Sequence, residues 1–423
     1  MKNGKNHSKK GSVMFVAIIL FFAILIILAT GVQRITTSFK ETKYQLNAIA
    51  EAENIARAGL VDAVSWFRRQ KSQPVASGYP PIKYSWPDGA FDPKYNTNPS
   101  KCDTIDESIG IVKQYKLSED NNIWVRYEVR RQQELAIYDP NAVHDITAQR
   151  IFDKQNGEGL LWSIVSFGYV YNYVSTATPF NIAPNKIIAK AQVSTEIRRM
   201  YVNPPVESAY IVKDGGTAIS PTVIININGK VIGGNNIGCG RVVGEIPLIK
   251  SAGGAFQLKD GEVSGNPKFQ SGLDDPTVNY VLGVSSSELK LLSDYIVNNV
   301  NDLPDPLPDM SLIFFEGDAN FSSTKPLRSS GILFVNGNLN IAEGSNSNYS
   351  GFIYVLKKAI INPPCLISGC VIAYDGLVLS NPSPSDIAEI DYDSSIIEII
   401  RQRMGHYREN KSLFRVFKPM PGL

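Results

Sequence analysis

The chain has 423 residues, enough for two or three domains, and 43% of them are hydrophobic while 19% are charged. This balance is typical of a globular protein and excludes a largely disordered chain. The formal net charge of +2 is close to neutral, so nothing in the composition indicates a nucleic-acid-binding surface. No nucleic-acid partner is predicted.

A short basic leader precedes a long apolar stretch at the start of the chain. The leader, residues 1–11, carries four lysines, and residues 11–33 contain no charged side chain. At about 1.5 Å of rise per residue, a helix over residues 12–33 can cross a hydrocarbon core of about 30 Å. We therefore expect a transmembrane helix, with the lysines on the cytoplasmic side and the bulk of the chain outside.

The helical pattern continues over residues 34–70 as an amphipathic stripe. Apolar or small residues recur there at intervals of three and four, with charges between them. After a proline-rich segment, alternating patterns predict strands over 123–130, 160–168 and 186–197 in a β-rich unit that spans residues 71–205. Neither the helix nor the strands can bury an apolar face alone, so we expect an antiparallel sheet packed across the stripe.

Residues 206–382 show a repeating pattern of short apolar runs. Four runs begin at Ile313, Ile332, Phe352 and Val371, which are 19, 20 and 19 residues apart, and an earlier run over 223–232 fits the same template. This period predicts a stacked β-solenoid, although a β-sandwich with evenly spaced hairpins would give a similar pattern. Between the units, residues 286–297 predict one inserted helix, near 286–300, which ends before the prolines at 304–308.

The last segment, residues 383–423, predicts a helix over 394–404 and a final strand over 414–417. The expected fold class is therefore α+β. A long N-terminal transmembrane and amphipathic helix packs on an antiparallel sheet, and a β-helix-like domain follows.

Four cysteines do not make a disulfide-dense framework in a chain of this length. Cys365 and Cys370 could pair in an exported protein, or Cys370 could be a small buried apolar residue, and the sequence leaves both open. Cys102 and Cys239 cannot be paired from the sequence.

The sequence contains little that indicates catalysis. Only three histidines are present, and no glycine cluster matches a phosphate-binding fingerprint. Acidic residues in the proline-rich linker, at Asp302, Asp305 and Asp309, are more typical of solvated carboxylates than of a calcium site. Paired acids of a carbohydrate enzyme could be sought among four later residues, namely Asp318, Asp375, Asp391 and Asp393. We expect no enzyme activity, and no catalytic, cofactor-binding or metal-binding residues.

The segments Lys9–Val16 and Ala48–Gly59 resemble the N-terminal region of type IV pilins and type II secretion pseudopilins, and most closely the PilX and GspK-like minor pilins. This resemblance implies cleavage after Gly11 by prepilin peptidase, methylation of the new N-terminus at Ser12, and assembly of the helix into a filament core. It also implies that residues 71–205 form a pilin-like head. The C-terminal part resembles a polymer-forming β-solenoid.

The chain differs from the common pilin pattern at two positions. The first mature residue would be Ser12 where the family usually has Phe, and the fifth would be Val16 where it usually has Glu. In the family this Glu is thought to neutralise the N-terminal amine of a neighbouring subunit in the filament. A subunit that enters first has no such neighbour, so Val16 favours a place at the filament tip.

These observations predict a non-enzymatic minor pilin-like subunit of a bacterial type IV pilus or type II secretion-type filament, acting in assembly priming or tip display. Its expected partners are other minor and major pilins, through the N-terminal helix, and prepilin peptidase. It would lie in the inner membrane with an extracytoplasmic head, and then in the pilus at the cell surface. The alternatives are a signal-anchored β-helix adhesin and a membrane-tethered polysaccharide-active enzyme.

Overall fold

The computed structural model describes residues 8–70, 73–75, 110–117, 122–130, 139, 141–155, 157–213, 223–233, 240–242, 256–258, 260–265, 273–379 and 386–421. Residues 1–7 of the leader, most of the proline-rich segment, Cys102 and Cys239 lie outside this part. A single helix, α1 (Ser8–Arg69), runs for 62 residues and contains both the apolar stretch and the amphipathic stripe.

An antiparallel sheet packs against the second half of α1, as the sequence predicts. Its first elements are β1 (Gly110–Lys116), β2 (Ile123–Arg130), β3 (His144–Asp145), the short helix α2 (Thr147–Arg150), β4 (Leu161–Asn172) and β5 (Lys186–Arg199). We call the sheet β1-β2-β4-β5 the helix-bound sheet. Alternate residues of β4 and β5 face the helix, which gives the alternating burial of β5.

Sixteen strands build the solenoid within the described residues. In chain order they are β6 (Tyr210–Lys213), β7 (Val223–Ile225), β8 (Gly229–Ile232), β9 (Gly240–Val242), β10 (Phe256–Leu258), β11 (Glu262–Ser264), β12 (Tyr295–Val297), β13 (Ser311–Phe315), β14 (Ala319–Phe321), β15 (Arg328–Val335), β16 (Leu339–Ile341), β17 (Ser347–Val355), β18 (Lys358–Ile361), β19 (Cys365–Ala373), β20 (Gly376–Leu379) and β21 (Ala388–Asp391). Neighbouring coils pair in parallel, which confirms the predicted solenoid.

Each central coil has three faces, because its long strand bends at a glycine. The first part of β19 pairs with β21 and its second part pairs with β6, so the two parts belong to different faces. The bend falls at Gly369, and the matching residue of β15 is Gly331; both have a positive φ, near 139° and 128°. We call the face of residues 328–330, 347–350, 365–368 and 388–391 the groove face. The face of β13 and residues 331–335, 351–355 and 369–373 is the packed face, and the six-stranded sheet is the third face.

The order of coils in space differs from their order along the chain. The early unit that the sequence places before the repeat stacks beyond its last coil, with β7 on β20 and β8 on β21. One coil is therefore composite: β21 supplies its groove face, while β6 and β7 supply the other two faces. The chain then returns to the opposite end of the stack, where β12 pairs with β13.

In the part of the chain that the structure describes, three α-helices accompany the solenoid: α3 (Val278–Leu282), α4 (Ser286–Leu292) and α5 (Ser394–Met404). The predicted tail helix over 394–404 has the observed bounds. The predicted helix over 286–297 is too long, because it ends at Leu292 and the following residues form β12, which pairs with β13. A capping box at Ser285 and Glu288 fixes the start of α4.

The C-terminal residues return to the helix-bound sheet. Two strands, β22 (Tyr407–Glu409) and β23 (Arg415–Pro421), both pair with β5. The segment 383–423 is thus not a separate tail, since β21 completes the solenoid, α5 packs on β15, β17 and β19, and the last strands extend the sheet.

Two arginines connect the sheet to the solenoid. Arg198 of β5 and Arg408 of β22 are direct cross-strand partners, and each is more than nine-tenths buried. Arg198 donates to the Gly283 carbonyl at 3.0 Å, and Arg408 donates to the Leu292 carbonyl at 2.9 Å and to Asp294 at 3.1 Å. Like charges directly opposite on a sheet repel, so these contacts with helix C-termini and carboxylates stabilise the junction.

Candidate functional site

The first half of α1 has no packing partner within the described part of the chain. Its large apolar side chains are exposed from Phe15 to Leu46, and they include Ile18, Leu20, Phe21, Phe22, Ile26, Ile27, Val32, Ile35 and Phe39. The helix is long and apolar enough to cross a membrane. An exposed apolar surface of this extent is typical of a segment that lies in lipid or against other helices.

Threonine side chains within this exposed half bond to their own helix. Thr30, Thr36 and Thr37 donate to backbone carbonyls four residues earlier, at 2.8, 2.8 and 2.9 Å. A hydroxyl that is satisfied in this way needs no water, so the segment can enter an apolar medium at low cost. The first charged residue after the leader is Arg34.

Small residues bring the second half of α1 close to the helix-bound sheet. Ala52, Ala56 and Ala63 are fully buried, and a Cβ built at Gly168 would overlap the Ala52 carbonyl oxygen. Likewise, a Cβ at Gly59 would overlap the hydroxyl of a buried serine on β4. The sheet and the helix backbone can approach this closely because these positions have no larger side chains.

An aromatic cluster holds the C-terminal end of α1. The Phe67 ring lies 5.0 Å from that of Trp162 and 5.2 Å from that of Tyr407. The Tyr407 hydroxyl donates to the Gly159 carbonyl at 2.5 Å, and the Tyr407 carbonyl accepts a hydrogen bond from Arg68 at 2.8 Å. The sequence analysis missed Tyr407 as an anchor of the helix, because no local pattern indicates a contact across 339 residues.

The predicted processing residues lie within α1. Gly11, Ser12 and Val16 belong to the helical segment that starts at Ser8, while residues 1–7 lie outside the described part. The cleavage site, the methylation of Ser12 and the role of Val16 therefore stay predictions.

Of the two alternatives that the sequence leaves open for Cys365 and Cys370, the structure contradicts the disulfide, because both residues are free and buried. They occupy one strand, β19, on either side of its bend at Gly369. The extended residues from Cys365 to the bend already span about 13 Å, whereas a disulfide needs Cα atoms within about 7 Å. Burial raises the pKa of both thiols to about 12, so both stay protonated at neutral pH. The alternative in which Cys370 is a small buried apolar residue describes the structure.

The four carboxylates considered for a carbohydrate enzyme lie next to different elements. Asp318 directly precedes β14 and Asp375 directly precedes β20, whereas Asp391 ends β21 and interacts with Asp393. Asp318 accepts hydrogen bonds from Asn338 of the next coil, which lower its pKa, and Asp393 caps the N-terminus of α5. Burial, and then the nearby Asp393, raise the pKa of Asp391. Among the described residues, no group of three or more His, Cys, Asp or Glu side chains could hold a metal ion.

Grooves on the surface of the described residues include one on the solenoid and one on the helix-bound sheet. A groove of about 750 Å³ crosses the groove face of the solenoid, from Asp309 to Glu389. A second, of about 530 Å³, lies on the side of the helix-bound sheet away from α1, and its floor includes Ser163 and Gln192. In the second groove an ion pair joins Arg150 to Glu196 at 2.8 Å.

No protein-family model matches the chain, and no curated protein matches it. Among solved structures, the chain is similar to the crystal structure of the competence-associated pilin ComZ from Thermus thermophilus, with 12% sequence identity over 89% of this chain and 97% of that chain. The TM-score of 0.19 is too low for this likeness to carry an argument.

Proposed function

We propose that the chain is a membrane-anchored, minor pilin-like subunit of a bacterial type IV pilus or type II secretion-type filament. The observation that carries this proposal is the division of one 62-residue helix into two halves. The first half is apolar and exposed, and the second half is packed across an antiparallel sheet. The second half of such a helix is fixed to the folded head, and the first half has an exposed apolar surface. The helix can therefore pass from lipid into a bundle of similar helices without a change in its own fold.

In this proposal the exposed half holds the subunit in the inner membrane and later packs against the helices of other pilins. The large head, made of the sheet and the solenoid, remains on the extracytoplasmic side. Prepilin peptidase removes the leader after Gly11, and no enzymatic activity belongs to the head. The subunit contributes its helix to the fibre and its head to the fibre surface.

Cleavage at Gly11 tests the proposal. We expect the mature chain to begin at Ser12 and the Gly11→Val variant to remain an uncleaved, membrane-retained precursor, because the peptidase requires a small residue before the cut. Gly4→Val, at another leader glycine, is the matched control and should be processed normally. Intact mass measurement of protein from membranes and from sheared filaments distinguishes the forms. Wild-type protein that keeps its first eleven residues would contradict the proposal and favour a signal-anchored adhesin.

Within this function we further propose a place at the filament tip, where the subunit primes assembly together with other minor pilins. Val16 supports this, since an unpaired carboxylate in an apolar bundle is costly and a first subunit has no amine ahead of it to neutralise. A head that includes both a sheet and a solenoid would also obstruct packing least at a tip. Immunogold labelling should mark filament ends only, and deletion of the gene should reduce filament number. Even labelling along the shafts would contradict tip placement.

A further inference from the structure

The groove face of the solenoid carries a row of side chains with regular spacing. Arg328, Asn348, Leu366 and Glu389 are register partners on four consecutive coils, and all four line the 750 Å³ groove. Parallel strands lie about 4.8 Å apart, so the row is about 14 Å long and runs along the stack. A ligand in the groove would therefore cross the strands and contact one coil after another.

The backbone of the coils cannot recognise such a ligand, because its N–H and C=O groups already bond along the stack between coils. Recognition falls to side chains. Within the described part of the chain, the side chains of Asn346, Asn348 and Glu389 make no hydrogen bond or ion pair, and the two asparagines are exposed. An amide offers both donors and acceptors, and a carboxylate offers acceptors, so these groups suit a ligand with many hydroxyls.

Charge and shape narrow the class of ligand. The charged residues that line the groove are two acids, Asp309 and Glu389, and one base, Arg328. The groove therefore has no excess of positive charge to attract a polyanion. Exposed apolar side chains, Leu366 and Ile387, lie beside the polar row and can contact C–H surfaces. An extended peptide would need backbone partners that the coils do not offer, whereas sugar rings in an extended glycan follow one another at a spacing close to that of the strands.

We propose that the groove face binds a neutral, unbranched oligosaccharide that lies along the stack, with Asn348 and Glu389 as hydrogen-bonding residues and Leu366 as an apolar contact. This site is independent of whether the chain enters a filament. The feature of the ligand that the groove recognises is a regular series of uncharged hydroxyl groups.

Calorimetric titration of the full-length protein tests the site. The protein should be held in a zwitterionic detergent, because sugar-headed detergents would compete. The probes are cellohexaose and chitohexaose as neutral chains, their disaccharides, hexagalacturonate as an anionic chain, and a twelve-residue Gly-Ser peptide. We expect at least one neutral hexasaccharide to bind more tightly than its disaccharide, which is too short to reach all four coils of the row, and the Asn348→Ala/Glu389→Ala double variant to lose about tenfold or more in affinity.

The matched control is Asn320→Ala, an exposed asparagine on the third face, which should bind as the wild type does. Equal thermal melting of the three proteins shows that a loss of affinity is not a loss of fold. The proposal is overturned if no neutral hexasaccharide binds at millimolar concentration, or if the double variant binds as well as the control. It is also overturned if hexagalacturonate or the peptide binds more tightly than every neutral chain.

Discussion

Glycines at the bend between the packed face and the groove face allow the coils to stack. Gly331, Gly351 and Gly369 are register partners on three successive coils. A Cβ built at any of them would overlap a backbone carbonyl oxygen of the preceding coil. Each glycine thus removes a clash that every other residue would bring, and it does so at the point where the strand has to turn.

We expect Gly351→Ala to lower the free energy of unfolding by about 2–3 kcal/mol, because the methyl group would press on the Gly331 carbonyl and force two coils apart. Gly317→Ala is the matched control, since nothing lies within 4 Å of a Cβ built there. Chemical denaturation of the full-length protein, followed by near-UV circular dichroism, measures both. Equal stability of the two variants would contradict close contact at the bend.

At the scale of single residues, the sequence separates turn positions from core positions only in part. The polar stretch over 344–348 predicts a turn that tolerates charge. Asn346 fits, with an exposed side chain and a φ of 53°, which asparagine and aspartate tolerate well. Ser347 does not fit, because it is buried and its hydroxyl accepts a hydrogen bond from the Leu327 amide at 3.0 Å. When several polar residues follow one another, the sequence does not show which side chain points into the core.

At the scale of elements, a continuous hydrophobic pattern predicts well that a helix or strand exists, but it predicts poorly where that element begins and ends. The absence of charge over residues 11–33 and the stripe that follows predict one helix, and α1 is one helix. The observed spacing of the bend glycines is 20 and then 18 residues, whereas the apolar runs suggest intervals of 19 to 20. Turns between coils differ in length, so the start of an apolar run shifts relative to the true register.

The packed half of α1 offers a comparison within one helix. Ala56 is fully buried against the sheet, near Gly168, and Ala58 is exposed on the opposite side. We expect Ala56→Leu to cost about 1–3 kcal/mol and to weaken the protection of β4 amides in hydrogen exchange, because the larger side chain separates helix and sheet. Ala58→Leu has the same change in helix propensity and should leave β4 unaffected. A uniform effect of the two substitutions would contradict the close packing.

At the scale of the whole molecule, the arrangement of the chain is not visible in the sequence. The pairing of β7 with β20 and of β8 with β21 joins residues that are 154 and 159 positions apart in the sequence, as their register shows. Any strand with an alternating pattern can add to either end of a stack, so local patterns cannot decide which end it covers. The groove was missed for the same reason, since its residues meet only after the coils are in register. The one available signal was the recurrence of polar or exposed residues at coil spacing, as at Arg328 and Asn348.

The junction of the helix, the sheet and the C-terminal strand contains an unusual histidine. His406 precedes β22 and lies near Arg68 of α1, Arg199 of β5 and Arg408 of β22. Burial lowers its pKa to about 4, the positive charges of Arg68, Arg408 and Arg199 act in the same direction, and a hydrogen bond with the Tyr407 carbonyl at 2.9 Å partly opposes them. The imidazole is therefore neutral in the folded protein at neutral pH.

This histidine makes the junction sensitive to acid. In the unfolded chain a histidine has a pKa of about 6.5, so between about pH 6.5 and about pH 4 the unfolded state binds a proton that the folded state does not. Stability from this group is therefore fully present above about pH 6.5 and is lost as the pH falls towards 4. Carboxylates elsewhere in the chain titrate in the same range. The measurement is therefore the difference in melting temperature between the wild type and His406→Gln at pH 7.5, 5.5 and 4.5. Glutamine cannot take up the proton but can still donate to the Tyr407 carbonyl. We expect the melting temperature of the wild type to fall by several degrees more than that of the variant on acidification. An equal fall in both proteins would show that His406 is not buried among these arginines.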